Sequence, residues 1–233
     1  MASCMDRNIG GKNMHMKRCL MFSISMMALL AGVPAAIAPI SAHAAGRTPA
    51  AAPAGAATPQ APISGLYKAL EQSEHSGAGI GKRSAMIAPL VDQAFDMDAI
   101  LKRSVGLHYD QLSADERSAL INAFKRFTVA RYASTFKPGT NAVFTVSQTT
   151  EEDGRTIVHT TIGNRNDSAE SATPIDYVMV KGPNGWRIVD ILLDGHISQV
   201  AAQRSDFKTI FSQSGANGLA RTLTKKADDF LQD

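Results

Sequence analysis

The segment WRIVDILLDGHISQVAAQRSDF, residues 186–207, changes its periodicity halfway along and so marks a boundary between two kinds of secondary structure. Its first part, Trp186–Leu193, is rich in apolar and β-branched residues, which is typical of a strand. Gly195 provides a turn, and Ser198 lies directly before a run with helical spacing, where a serine side chain can cap the first backbone N–H groups. The segment therefore predicts a strand that leads through a turn into a helix.

The same segment contains residue types found in hydrolase charge relays, namely Asp190, Asp194, His196 and Ser198. A nucleophilic serine of the α/β-hydrolase kind is flanked by glycines, whereas Ser198 is followed by Gln-Val. The sequence favours a structural role for these residues. It leaves open the alternative of a small α+β enzyme in which Asp190 or Asp194 is the general base.

Strand alternation predicts the surroundings of Asp190. Its side chain is expected on the same face as Ile188 and Leu192, because side chains two residues apart point to the same side of a strand. A carboxylate on an apolar face needs a donor, and Arg204 on the following helix is the candidate. We therefore predict a polar junction of Asp190, Arg204 and Ser198 between the sheet and the helix.

Upstream of this segment the chain has further runs with the composition of strands. Tight-turn residues separate neighbouring runs at Asp153-Gly154 and at residues 183–185, which favours hairpins. The pattern predicts an antiparallel meander of four strands, over residues 142–150, 155–163, 173–182 and 185–195.

Helical spacing of apolar residues precedes and follows the strands. One helix is predicted to begin with a capping box of Ser113 and Glu116, and another contains Pro89, which would bend or divide it. The helices are expected over residues 63–76, 81–95, 96–106, 113–137, 198–212 and 216–231. The order predicts an α+β domain with N-terminal helices, the four-stranded sheet, and two C-terminal helices packed on one sheet face.

The N-terminus has the layout of a secretory signal peptide. A basic region at Met16-Lys17-Arg18 precedes an almost uncharged run, and Ala42-His43-Ala44 offers a small-residue cleavage site. We predict a signal peptide over residues 1–44, with Met16 as an alternative start. Residues 45–62 are rich in Ala, Pro and Gly and predict a flexible tether, so that residues 63–233 form the folded domain.

Removal of this leader changes the charge and the cysteine content. Both cysteines, Cys4 and Cys19, lie in the leader, so the mature chain would have no thiol ligand. The leader also holds four basic residues and one acidic residue, and its loss reduces the 24 basic and 21 acidic residues of the chain to 20 of each. A neutral domain does not indicate nucleic-acid binding, and the histidines lack metal-site spacing. We expect neither a metal nor a cofactor.

Three segments contain motifs that are individually degenerate but occur in a fixed order, over residues 88–106, 112–136 and 186–223. The first is APLVDQAFDMDAILKRSVG and the second is LSADERSALINAFKRFTVARYASTF. The third fits W-(K/R)-(V/I)-x-D, followed by a glycine, a serine, R-x-x-F and G-x-x-x-L. Together they resemble the MlaC/toluene-tolerance family of periplasmic lipid-binding proteins, including its hopanoid-associated, HpnM-like branch.

Two positions depart from the family pattern. The serine that follows Gly195 stands at 198, one position later than is usual, and Gln203 replaces a tyrosine that often precedes the arginine. These departures place the chain nearer the divergent HpnM-like branch.

The resemblance implies a periplasmic lipid carrier of one chain, a monomer that is not an enzyme. Its helices and sheet would enclose the apolar part of a lipid in a cavity. It would exchange this lipid with an inner-membrane complex associated with an ABC transporter and with an outer-membrane lipoprotein complex, and so contribute to outer-membrane lipid asymmetry. The cargo is expected to be a hopanoid or a glycerophospholipid.

The apolar and aromatic residues of the predicted strands and helices are the candidates for contact with the lipid. They are Phe124, Phe127, Tyr132, Phe144, Val158, Tyr177, Met179, Ile188, Ile191, Leu193, Val200, Phe207 and Phe211. The sequence leaves open whether this set lines a cavity or fills a core. Besides the enzyme, a non-enzymatic adaptor of an inner-membrane complex is the remaining alternative.

Overall fold

The computed structural model of the chain describes residues 58–232. The predicted signal peptide and the alternative start at Met16 lie outside the described residues, as does the predicted tether as far as residue 57. The last tether residues are helical instead, because the first helix begins at Gln60. Pro62 is tolerated there, since the first N–H groups of a helix have no partner within the helix.

Five α-helices are described. They are α1 (Gln60–His75), α2 (Ile80–Ala94), α3 (Met97–Val105), α4 (Ala114–Thr135) and α5 (Gln199–Phe230). Short 3-10 turns lie at Leu107–Gln111 and Ala169–Ser171. The predicted capping box is present, with the Ser113 hydroxyl accepting from the Glu116 N–H and the Glu116 carboxylate accepting from the Ser113 N–H. Pro89 lies inside α2 without dividing it.

The strands form one antiparallel sheet in the order of the chain. They are β1 (Ala142–Glu152), β2 (Arg155–Asn164), β3 (Thr173–Gly182), β4 (Gly185–Leu193) and β5 (Ile197–Ser198). The α+β class and the meander are confirmed. The predicted count of four strands is wrong by one, because the chain folds back after β4 and pairs Ile197 and Ser198 with its end.

A β-bulge changes the face on which the residues of β4 lie. Val178 pairs with Asp190 and Met179 with Ile188, so that Val189 is the extra residue. Ile188 consequently packs in the large core between helices and sheet, whereas Leu192 packs with Val189 in a small second cluster. The predicted alternation, which put Ile188 and Leu192 on one face, is wrong because the bulge interrupts the two-residue period.

Both halves of the β4 edge are covered. The segment before α3 forms a parallel bridge between Phe95 and Ile188, and the Asp96 N–H donates to the Ile188 carbonyl oxygen at 2.9 Å. The two-residue strand β5 covers the other half. An uncovered edge strand is a template for pairing with another chain, so these contacts leave β4 in the interior of the sheet.

The closing helix α5 consists of two helical segments, as predicted, joined at Gly215. This residue has φ 66° and ψ −171°, a conformation that is almost confined to glycine. The helix α5 contacts α4, α3 and β4, and it contacts α4 both before the kink, through Phe207 on Phe124, and after it, through Asp228 on Arg126.

The substitution Gly215→Ala is expected to destabilise the fold by about 1–3 kcal/mol, because alanine adopts this backbone conformation only with strain. Gly81→Ala is the matched control, since its added methyl group would meet open space in the first turn of α2. Chemical unfolding of the two variants should show a loss for Gly215→Ala alone. Equal stability of both variants would mean that the kink relaxes without cost.

Candidate functional site

A cavity lies between α4, the start of α5 and one half of the sheet, with a volume of about 770 Å³ including its open mouth. Its walls are mainly aliphatic and aromatic, with hydroxyl, amide and charged groups at a few places. Its lining residues are Phe95, Ile100, Phe124, Phe127, Thr128, Arg131, Tyr132, Thr135, Phe136, Ile162, Ile175, Tyr177, Asp190, Ile191, Leu193, Gln199, Val200 and Gln203.

A wider groove continues from this cavity along the inner side of the kinked helix α5, with about 1450 Å³ of space including solvent in its mouth. The cavity and the groove share Phe127, Arg131, Leu193, Gln199 and Gln203 as lining residues. They are therefore parts of one continuous site that is narrow at the sheet and open at the helices.

The candidate lipid contacts fall into two groups. One group lines the cavity or groove: Phe124, Phe127, Tyr132, Tyr177, Ile191, Leu193, Val200 and Phe207. The others lie outside both linings: Phe144, Val158, Met179, Ile188 and Phe211.

Packing explains why the second group is displaced from the site. The Phe144 ring contacts the Tyr67 ring at 4.6 Å and the Phe136 ring at 5.0 Å between centroids, and Phe211 stacks on His108 at 6.1 Å. Val158, Met179 and Ile188 are buried in the core. The helices therefore fill one half of the sheet face, and the cavity occupies the other half.

Several lining residues were not predicted. On α4 they continue the helical spacing from Phe124 through Thr128, Arg131 and Thr135, which is a signal that the sequence contains. These side chains are polar, and an apolar pattern does not mark polar residues as lipid contacts. On the sheet, Ile175 shares the face of Tyr177, and the alternation of β3 could have identified it.

Tyrosine hydroxyls form a buried chain at the floor of the cavity. The Tyr67 hydroxyl lies 2.7 Å from that of Thr160 and donates to the Tyr177 hydroxyl at 3.1 Å. The hydroxyl of Tyr132 lies close enough to that of Tyr177 to affect its pKa. Burial raises the pKa of Tyr132 to about 12, and burial likewise raises the pKa of Tyr67 and Tyr177 above the ordinary 10.0.

Asp190 joins the sheet to α5 through hydrogen bonds to its carboxylate. The Ser198 hydroxyl donates to Oδ2 at 2.6 Å, and the Val200 N–H donates to Oδ1 at 3.1 Å. The Ser198 oxygen in turn accepts from the Ala201 N–H at 3.0 Å, as an N-cap does. The polar junction thus contains Asp190 and Ser198.

The predicted pairing of Asp190 with Arg204 is wrong. No hydrogen bond or ion pair joins these two side chains in the described part of the chain, and Arg204 is exposed. The reason is local, because the hydroxyl and N–H groups at the start of α5 reach the carboxylate first.

The residues of the opening segment do not assemble into a charge relay. The His196 Nδ1 atom lies 2.8 Å from the carbonyl oxygen of Asp194, while Ser198 bonds to Asp190. A separate contact joins His159 Nδ1 to Asp176 Oδ2 at 2.9 Å, and neither residue belongs to the lining of the cavity. The site therefore supplies shape and apolar surface rather than a recognisable nucleophile and base.

Two further observations concern residues 58–232. Within this range no group of three or more His, Cys, Asp and Glu side chains could hold a metal ion. Over the same residues, no helix has the length and apolar character required to cross a membrane.

The fold and the site define an α+β protein with an apolar internal cavity that opens between its helices. The family model described as MlaC protein matches residues 62–225, and the chain belongs to this family. A comparison of the chain with curated proteins finds no match.

A solved structure with a similar fold is described as the phospholipid-binding protein from Ralstonia solanacearum in complex with a phospholipid. The two structures superpose with a TM-score of 0.60 at 20% sequence identity. The alignment covers 75% of this chain and 99% of the other.

The substitution Asp190→Ala is expected to lower the free energy of unfolding by on the order of 3 kcal/mol, because it removes the acceptor for several donors at once. Ser198→Ala is expected to cost about 1 kcal/mol as the loss of an N-cap. Arg204→Ala is the control and should change stability by less than about 0.5 kcal/mol. Denaturant titration measures all three, and a large loss for Arg204→Ala would contradict the assigned contacts.

The four tyrosines of the chain are expected to stay neutral until the fold is lost at high pH. All four have a raised pKa, with burial as the largest cause. Unfolded chains release these protons near the ordinary value of 10.0, so stability should fall as pH rises above about 10. Tyrosinate absorbance should therefore rise together with the loss of the circular dichroism of the fold. Ionisation near pH 10 in folded protein would contradict this.

Proposed function

We propose that this protein is a periplasmic lipid carrier. It binds the apolar part of a lipid, a hopanoid or a phospholipid, and moves it between complexes of the outer and inner membranes. The observation that carries the proposal is the cavity between α4, α5 and the sheet, whose walls are mainly aliphatic and aromatic with a few polar groups, as is typical of small-molecule sites. Membership of the MlaC family supports it, as does the fold shared with a phospholipid-binding protein.

Energetics are consistent with a carrier. Burial of about 14 methylenes contributes on the order of 10 kcal/mol, at roughly 0.8 kcal/mol for each. A lipid held with this free energy would stay bound while it crosses water. Its release would then require a membrane complex that competes for the lipid or opens the site, and we infer complexes in the inner and outer membranes as the partners of a monomeric carrier.

The chemistry of the site argues against the alternative of an enzyme. The carboxylate of Asp190 accepts hydrogen bonds from the Ser198 hydroxyl and the Val200 N–H. It would have to give up these structural bonds in order to act as a general base. We propose that the protein acts without a cofactor and without covalent chemistry. The periplasmic location follows from the predicted signal peptide over residues 1–44 and is part of the same proposal.

Expression of the full chain in a bacterium with two membranes tests the proposal. The protein should be recovered from the periplasmic fraction, and solvent extraction with mass spectrometry should detect a stoichiometric lipid. Labelled lipid should also move from donor to acceptor vesicles when the protein is added. A lipid-free protein that takes up nothing from vesicles would overturn the proposal.

The substitution Ile191→Glu should reduce the bound lipid by about tenfold or more, because a carboxylate in an apolar cavity would be desolvated by the cargo. Ile191 is half-buried at the cavity wall, so the fold should persist. Val143→Glu places the same charge on β1 at a residue that is 39% exposed and serves as the control. The ratio of lipid to protein by mass spectrometry measures the effect, and equal ratios in the two variants would place the lipid elsewhere.

A further inference from the structure

Arg131 is a charged residue in the wall of a mainly apolar site. It lines both the cavity and the groove, at the point where the two meet. Its neighbours in both linings are the apolar residues Phe127 and Leu193 and the amides Gln199 and Gln203. No other lysine or arginine is among the lining residues of the cavity. Arg131 is thus the one lysine or arginine in the cavity lining, and the groove beyond it is lined by Asp206, Lys226 and Asp229 as well as by apolar residues.

The start of α5 positions this guanidinium. When the Gln199 amide is oriented with its oxygen towards Arg131, that oxygen accepts from Nη1 at 3.2 Å and from Nη2 at 3.1 Å. Gln199 is the first residue of α5, and this helix end is held on the sheet by Asp190. The arginine is therefore tied to the same rigid junction as the helix, and the N-terminal end of a helix adds a partial positive charge.

We propose that Arg131, held by Gln199, binds the phosphate of the lipid headgroup and makes the carrier select phosphate-bearing lipids over neutral lipids with the same chains. This inference rests on the proposed function and goes further, since it assigns a recognition site for the headgroup. The apolar chains would occupy the cavity, and the phosphate would lie at the junction with the groove, where the amide of Gln203 is also available as a donor.

Phosphate is the chemistry that suits this place. A guanidinium is planar and presents its N–H groups in a fork that matches two oxygens of a phosphate. The one carboxylate in the cavity lining, Asp190, accepts from Ser198 Oγ and from the N–H groups of Val200 and Ile191. Its carboxylate therefore accepts hydrogen bonds at the contact between the sheet and the start of α5, and these bonds stabilise its negative charge.

The hydroxyl of a neutral polycyclic alcohol offers a single weak acceptor to the same fork. Such a lipid would displace water from the guanidinium without replacing the hydrogen bonds of that water, which costs free energy. Charge-assisted hydrogen bonds to a phosphate offset that loss. The arrangement consequently favours an anionic headgroup over an uncharged one, at equal burial of the apolar chains.

The test compares the wild-type protein with Arg131→Gln in equilibrium binding of phosphatidylglycerol and of diacylglycerol with identical chains. The wild-type protein should prefer phosphatidylglycerol. Arg131→Gln should weaken phosphatidylglycerol binding by about tenfold or more, because hydrogen bonds to charged groups are the strong ones, and should leave diacylglycerol binding unchanged. Arg126→Gln is the matched control on the same helix, since Arg126 lies outside the cavity and pairs with Asp228 at 2.6 Å.

The outcomes separate this inference from the proposed function. Equal binding of both lipids by the wild-type protein, or the same loss in Arg126→Gln, would overturn the role of Arg131 and leave the carrier standing. Binding of neither lipid would overturn the role of Arg131 in headgroup selection, and would leave a hopanoid as the cargo of the carrier. Glycerol phosphate should not compete at concentrations that saturate the lipid, and effective competition would show a site for free phosphate instead. Circular dichroism of Arg131→Gln shows whether the fold is intact, and Arg131→Lys should recover part of the selectivity because it restores the charge.

Discussion

The carboxylate of Asp190 is the contact on which the arrangement of this molecule depends. It lies on β4, directly after a bulge, and accepts hydrogen bonds from Ser198 and Val200 at the start of α5. The long helix can therefore leave the sheet in one direction only. That direction sets the distance between α5 and α4, and the space between these helices and the sheet is the cavity. A half-buried carboxylate bound by backbone and hydroxyl donors holds together a site whose walls are mainly apolar.

The sequence predicted much of the fold because its local signals agree with one another. The capping box at Ser113, the hairpin residues Asp153-Gly154 and the switch from helical to strand periodicity all occur where the structure has the corresponding features. Its errors have physical causes. The two-residue strand β5 is too short to have a composition of its own. The bulge at Val189 reverses the alternation of β4 without any glycine or proline to indicate it.

The candidate site was predicted less completely than the fold. Apolar residues on one face of a strand indicate burial, but only packing decides whether that burial is against other side chains or against a cavity. Val158 and Tyr177 are cross-strand partners of similar character, and only Tyr177 reaches the cavity. An apolar pattern does not mark Arg131 because it is a cation, although its helical spacing from Phe124 and Thr128 places it on the inner face of α4.

The bulge in β4 also separates a packed half of the sheet from a half that lines the cavity. On the hairpin side of Val189, Ile188 and Met179 are packed against the helices. On the other side, Ile191 and Leu193 border empty space. Substitutions in the packed half are expected to change the free energy of unfolding, whereas substitutions of apolar residues such as Ile191 in the open half change what the space accommodates. Asp190 is the exception in the open half, because its carboxylate holds α5 on the sheet. A chain of this design could therefore acquire a different cargo through the apolar residues of the open half without first losing its fold.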